Sequence, residues 1–264
     1  DPAYPCVRNF IHLLSAQPQL IPVGSQQNFQ PTIEQLDQYC QANTTGLWLA
    51  SPSNPTGTIM ERSRLQAACD WARKKNLHLL VDEIYHGLHY VDDLPSVLEL
   101  DQSCFVVSSF SKYFGMTGWR LGWIVVPEAH IEMANILAQN LYISASSIAQ
   151  HAALAAFEDE TRLIFEQRRE AFRGRRDYLS EALKGLGFIL PEQTQGAFYL
   201  YADISRFSHN SEEFCADMLQ QHGVAITPGT DFSECNGNQF VRFAFTTNMD
   251  NLELAVARLQ RALQ

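Results

Sequence analysis

Strand-like and helix-like segments alternate along the first half of the chain, and this alternation is the strongest constraint on how it folds. Apolar runs at residues 46–50, 77–84, 104–108 and 120–126 are rich in β-branched and aromatic side chains. They are continuously apolar. A strand with one wet face alternates polar and apolar residues, whereas a strand covered on both faces need not. Helical patterns at 5–14, 32–42 and 61–75 fall between or before these runs, and a short strand is expected at 19–23. Thr32 with Gln35 three residues on is a capping-box pattern for the second helix. The sequence therefore predicts an α/β fold with a mostly parallel sheet and helices on both faces.

After Pro127 the pattern turns helical. Phe165, Phe172, Leu179 and Leu186 recur every seven residues, an apolar stripe on one long helix expected to end near Gly185 or Gly187. Strands at 196–204, 224–227 and 240–245 and helices at 211–222 and 250–263 follow. The long helix reads as the bridge from a large domain over 1–170 into a smaller C-terminal α+β domain over 171–264.

Several function classes are disfavoured. The 264 residues carry 19 basic against 29 acidic side chains, a formal charge of -10, so a nucleic-acid partner is not expected. The one basic cluster, Arg168, Arg169, Arg173, Arg175 and Arg176, is interleaved with Glu166, Glu170, Asp177 and Glu181 and reads as a solvated helix face. No apolar run is long enough for a bilayer. The six cysteines show no Cys-x-x-Cys pair and accompany no histidine cluster, which argues for a reducing, cytoplasmic setting without a disulfide framework or a metal site.

The chemistry gathers around 108–123. A strand ends in Ser108, Ser109 and Ser111, Lys112 follows, and Gly115 and Gly118 precede Arg120. Hydroxyls, an arginine and glycine-exposed amides are groups that hold phosphate. A lysine beside such a site suits Schiff-base chemistry, because nearby cations and desolvation both favour the neutral amine that attacks a carbonyl. Two further polar loops follow strand-like runs, Ser51 to Gly57 and Asp82 to Tyr85. Polar groups at several strand ends are where open α/β sheets place ligands. Singly, each has a plainer reading: Asp82 a strand-end cap, Tyr4 and Tyr85 core aromatics, Asn54 a turn starter, Arg242 an edge-strand arginine.

Together these pieces resemble the fold-type I pyridoxal-phosphate enzymes, specifically the class I/II aminotransferases. The matching residues are Asn-Pro-Thr-Gly at 54–57, Asp-Glu-Ile-Tyr at 82–85, Ser-Phe-Ser-Lys at 109–112, Gly118-Trp-Arg120, and Val241-Arg242-Phe243. The resemblance extends over essentially the whole chain and implies pyridoxal 5'-phosphate as cofactor. It implies that Lys112 forms the Schiff base and shuttles a proton, and that Asp82 pairs with the pyridine nitrogen. Tyr85 and Asn54 would bond the phenolic oxygen, and Tyr4 would stack on the ring. Ser109, Ser111 and Arg120 would hold the phosphate, and Arg242, with Asn54 beside it, would bind the substrate carboxylate. The substrates implied are an α-amino acid and a 2-keto acid, and the assembly a homodimer.

The same resemblance implies an upstream segment completing the phosphate site, so the chain is expected to lack part of its family's N-terminal region. Two other functions share most of these residues. One is a pyridoxal-phosphate-dependent carbon–sulfur β-lyase. The other is the aminotransferase-like effector domain of a transcription regulator.

Overall fold

The computed structural model describes residues 1–264. Helices α1 (Cys6–Leu13) and α2 (Ile33–Tyr39) precede strand β1 (Gly46–Ala50), helix α3 (Arg62–Lys75) and strand β2 (His78–Asp82). Strands β3 (Phe105–Ser109) and β4 (Gly122–Val125) come next, then helices α4 (Ile131–Leu141), α5 (Ser147–Leu154) and α6 (Asp159–Leu186). Strand β5 (Tyr199–Asp203), helix α7 (Ser211–His222), strands β6 (Thr227–Pro228) and β7 (Phe240–Ala244) and helix α8 (Met249–Ala262) complete the chain. No helix is long and apolar enough to cross a membrane.

The chain divides into two compact units. One comprises Cys40–Pro52 and Met60–Glu170; the other comprises Asp1–Tyr39, Ser53–Ile59 and Ala171–Gln264. The first holds a four-stranded sheet in the order β1-β2-β3-β4, parallel except for β4. Ala50 is opposite Asp82, and Asp82 opposite Val107, so the three parallel strands finish at one edge and the polar residues after them emerge together. Helix α3 buries Leu65, Ala68, Cys69, Trp71 and Ala72. It stops at Asn76, which takes the left-handed conformation (φ 55°), with Arg73, Lys74 and Lys75 facing the negative end of the helix dipole.

Burial on both faces does not hold for every strand. All four residues of β4, the edge strand, are exposed, Trp123 by 40% and Ile124 by 52%, although Trp123 meets Phe110 at 5.1 Å. Helix α4 buries none of its residues, and Met133, Leu137 and Leu141 lie open.

The second unit holds the antiparallel sheet β5-β7-β6. Helix α7 starts on Asn210, whose side chain accepts from the N–H groups of Glu212 and Glu213, and ends at Gly223. The residues 1–39 belong to this unit, not with 40–170 as a linear division would have it. Phe29 meets Tyr201 and Phe240 edge-on, each at 5.8 Å, and the Asp1 carboxylate accepts from Ser233 Oγ and from the Glu234 N–H. The capping box of α2 is present: the Gln35 N–H donates to Thr32 Oγ1 (3.3 Å) and the Thr32 N–H to Gln35 Oε1 (3.0 Å).

Three expectations need correction. No strand forms at 19–23: the Asp1 amino group donates to the Ile21 carbonyl and the Val23 N–H to the Asp1 carbonyl, but Pro2 and Pro22 have no N–H with which to extend a ladder. The strand expected at 224–227 shrinks to Thr227–Pro228. The five clustered arginines of α6, Arg168 to Arg176, are half-buried, not solvated. Arg168 and Arg175 lie over Phe165 and Phe172 at 5.2 and 5.4 Å, Arg169 pairs with Glu166 (2.6 Å), and Arg176 donates to the Thr194 carbonyl. The stripe on α6 buries Phe165, Phe172 and Leu179 as expected and adds Leu183.

The Asn54–Gly57 turn is fixed by backbone proximity. Gly57 has φ +67°, and a Cβ there would lie 2.9 Å from the carbonyl oxygens of both Gly196 and Tyr199. Its own carbonyl accepts the N–H groups of Gln195 (3.0 Å) and Gly196 (2.8 Å). Gly57→Ala is therefore expected to destabilise the chain by about 2–4 kcal/mol, read as a lower urea midpoint at unchanged slope.

Candidate active site

In the unit with the parallel sheet, Asp82 ends β2 and Oδ1 accepts the Ile84 N–H at 3.0 Å. Burial pushes its carboxyl up to about 6, against the opposing pull of that N–H and of the Lys112 ammonium. Lys112 Nζ lies 5.8 Å from the centre of the Tyr85 ring, itself buried. Lys112 and Asp82 thus share one edge of the sheet with Tyr85.

The loop that carries Lys112 is tied at several points. Ser109 Oγ donates to the Leu121 carbonyl (3.1 Å), lies 2.9 Å from Ser111 Oγ, and accepts the Ser111 N–H (3.0 Å). Thr117 Oγ1 donates to the Ser111 carbonyl at 2.6 Å. Arg120 takes the left-handed conformation (φ 52°), is exposed, and bonds the Thr117 carbonyl. Tyr113 donates to Glu166 of α6 at 2.5 Å. Burial, then that carboxylate, pushes its phenol up to about 12.

Glu83 and His86 form a support for which the sequence suggested no role. The buried Glu83 carboxylate accepts from the Val97 N–H (2.7 Å) and from Ser96 Oγ (2.9 Å), and burial raises its pKa. His86 Nδ1 lies 3.5 Å from it. Burial pushes His86 down to about 4, opposed by its hydrogen bond to the Ser51 backbone, so the imidazole is neutral near pH 7 and links the loops after β1 and β2.

In the other unit, Arg242 lies mid-way along β7, directly opposite Tyr201 on β5 and Thr227 on β6. Its Nη1 donates to Asn54 Oδ1 (2.9 Å) and its Nη2 to Thr227 Oγ1 (3.3 Å). The guanidinium carbon is 4.2 Å from the centre of the Tyr199 ring and 4.5 Å from that of Phe232. Tyr4 precedes α1 and is 49% exposed, with the neighbouring Ala3 N–H bonded to the Phe232 carbonyl (2.9 Å).

The nine expected site residues thus fall in two sets, Asp82, Tyr85, Ser109, Ser111, Lys112 and Arg120 in one unit and Tyr4, Asn54 and Arg242 in the other. The sequence missed Tyr199, Thr227 and Phe232 around Arg242. The signal was present for two of them: Tyr199 and Tyr201 share a strand face, and Thr227 begins the Thr-Pro-Gly turn.

The residues fit pyridoxal phosphate. A carboxyl held at about 6 by burial gains from a cationic ring nitrogen, a neighbouring amine suits an aldehyde, and two clustered hydroxyls suit a phosphate. A mixed sheet with such groups at its strand ends defines an α/β protein with a candidate site for a phosphate-bearing aldehyde cofactor.

Comparison with known proteins agrees. The family model "Aminotransferase class I and II" matches residues 1–259. The valine–pyruvate aminotransferase of Mycobacterium tuberculosis is 37% identical, with 98% of this chain and 67% of the relative covered. A crystal structure of an aminotransferase from the same organism superposes over 100% of this chain and 68% of its own, with TM-score 0.96 and 37% identity. The aromatic aminotransferase from Pyrococcus horikoshii OT3 gives TM-score 0.94 at 29% identity, over 99% and 71%. The chain belongs to the class I and II aminotransferases, which depend on pyridoxal phosphate, and spans about two thirds of the length of these relatives.

Proposed function

We propose that the chain transfers an amino group from an α-amino acid to a 2-keto acid with Lys112 as the catalytic amine, and that valine and pyruvate, as in the name of the M. tuberculosis relative, are the first pair to test. The observation that carries the reading is Lys112 beside Asp82 at the strand ends of the parallel sheet.

Pyridoxal phosphate, when bound, supplies an aldehyde carbon and a conjugated ring that accepts electron density from the substrate's α-carbon. Lys112 Nζ would hold it covalently and, as a free amine, would take and return the α-carbon proton. In the same unit Asp82, as a carboxylate, would keep the ring nitrogen protonated, Ser109, Ser111 and Arg120 would bind the phosphate, and the Tyr85 hydroxyl would bond the ring oxygen. In the other unit the family resemblance gives Asn54 a bond to the ring oxygen, Tyr4 a ring face to cover, and Arg242, which already engages Asn54 Oδ1, the α-carboxylate to bind in the plane of its guanidinium.

A cytoplasmic homodimer completes the reading. Its support is the row of six unbridged thiols and the exposed apolar strand β4 and helix α4. The test is product analysis with valine as donor and pyruvate as acceptor. Equal amounts of alanine and the keto acid of valine are expected, with no turnover when pyruvate is withheld. Ammonia and pyruvate released from a β-substituted amino acid without any acceptor would instead identify a β-lyase.

A further inference from the structure

Arg242 is enclosed in a way that its hydrogen bonds alone do not require. A guanidinium is a flat cation that offers donors along its edge and none from its faces. Here the guanidinium carbon lies 4.2 Å from the centre of the Tyr199 ring and 4.5 Å from that of Phe232, while Nη1 and Nη2 reach Asn54 and Thr227. Both rings are buried, Tyr199 with the ring of Phe198, just before β5, 4.6 Å away, and Phe232 in the cluster of Val23, Phe29, Tyr201 and Phe240. Neither ring is therefore free to turn aside, and the plane of the cation is set by the core of the unit.

We infer that Tyr199 and Phe232 are positioning and specificity-determining residues: they lock the plane of Arg242 so that it accepts a flat carboxylate edge-on and disfavours tetrahedral anions such as sulfonates and phosphonates. The inference rests on the reading of Arg242 as the receptor for the substrate carboxylate. A carboxylate places two oxygens in the guanidinium plane and matches a fixed fork. A tetrahedral anion places its third oxygen out of that plane, towards one of the rings. Freed from the rings, the guanidinium gains rotational freedom, which weakens the carboxylate contact and removes the penalty on the tetrahedral one.

Tyr199→Leu and Phe232→Leu holoenzymes, together with Tyr199→Phe, test this by steady-state kinetics and by calorimetric titration with an amino acid and with its sulfonate analogue. Each leucine variant is expected to raise KM about tenfold at nearly constant kcat, a loss of about 1.4 kcal/mol in kcat/KM. The carboxylate-to-sulfonate affinity ratio is expected to fall by a similar factor, the cofactor absorbance to stay unchanged, and Tyr199→Phe to behave as the parent. An unchanged ratio in a leucine variant that still melts cooperatively overturns the inference, as does a loss confined to kcat. Both rings contact the same cation, so either variant decides the matter if the other does not fold. Arg242→Leu separates the two levels. If it leaves carboxylate affinity intact, the receptor reading itself fails; if it abolishes affinity while the leucine variants are neutral, only the role of the rings fails.

Discussion

Lys112→Ala is expected to lower kcat for amino transfer by more than about 10³-fold, because the substitution removes both the covalent anchor and the group that moves the α-proton. The fold should survive. The loop's ties are made by other atoms: the Gly115 N–H donates to the backbone carbonyl of Lys112, Thr117 holds the Ser111 carbonyl, and Tyr113 bonds Glu166. Circular dichroism and the urea midpoint should therefore change little. The diagnostic measurement is the absorbance of the protein with added pyridoxal phosphate, before and after gel filtration. The parent should keep the long-wavelength band of a lysine-bound cofactor through filtration. The variant should show only the free-aldehyde spectrum and lose it. A covalent band that persists in Lys112→Ala would transfer the anchoring role to another amine.

The meeting of Lys112 and Asp82 at one sheet edge was legible in the sequence because it depends on residues close together in the chain, while the roles expected of them come from the family resemblance. Ser109, Ser111 and Lys112 lie on one turn after one strand, and Asp82 ends the neighbouring strand. The mostly parallel character of the sheet followed from the same runs, but its strand order did not. What escaped were properties set by partners distant in sequence. The exposure of β4 depends on its place at the sheet edge, which an apolar run does not encode. The half-burial of the α6 arginines depends on Phe165 and Phe172 presenting ring faces to them, where charge alternation alone suggested a wet surface. The strand expected at 19–23 failed on its prolines, which the apolar pattern outweighed. The enclosure of Arg242 joins β5, the turn after β6 and β7, and only Arg242 itself belonged to a recognisable motif.

Asp82→Asn should separate stability from function in opposite directions. The carboxyl is pushed up to about 6 from an ordinary 3.8 because burial disfavours its charged form, so the fold favours the protonated acid. Below about pH 4 the acid is protonated folded or unfolded, and the site costs nothing. Between about pH 4 and pH 6 the folded protein keeps a proton that the unfolded chain has lost, so the cost grows, and above about 6, where both states are ionised, it stays at about 2–3 kcal/mol. Asparagine has nearly the same shape, keeps an oxygen for the Ile84 N–H, and carries no charge. The cofactor-free variant should thus be more stable than the parent by about 2–3 kcal/mol at pH 8 and equal to it at pH 4, in urea melts at both values. Function should move the other way. A neutral amide does not hold a proton on the ring nitrogen, and kcat should fall by about 10²–10⁴-fold. Loading the parent with pyridoxal phosphate should narrow or reverse its deficit at pH 8, since a cationic ring nitrogen then meets the carboxylate. A variant no more stable than the parent at pH 8, with kcat preserved, would remove Asp82 from the site and leave it a strand-end cap. A variant less stable than the parent at pH 8 but not at low pH would show that the Asp82 charge is compensated within the protein itself, with Lys112 as the neighbouring cation, before any cofactor arrives.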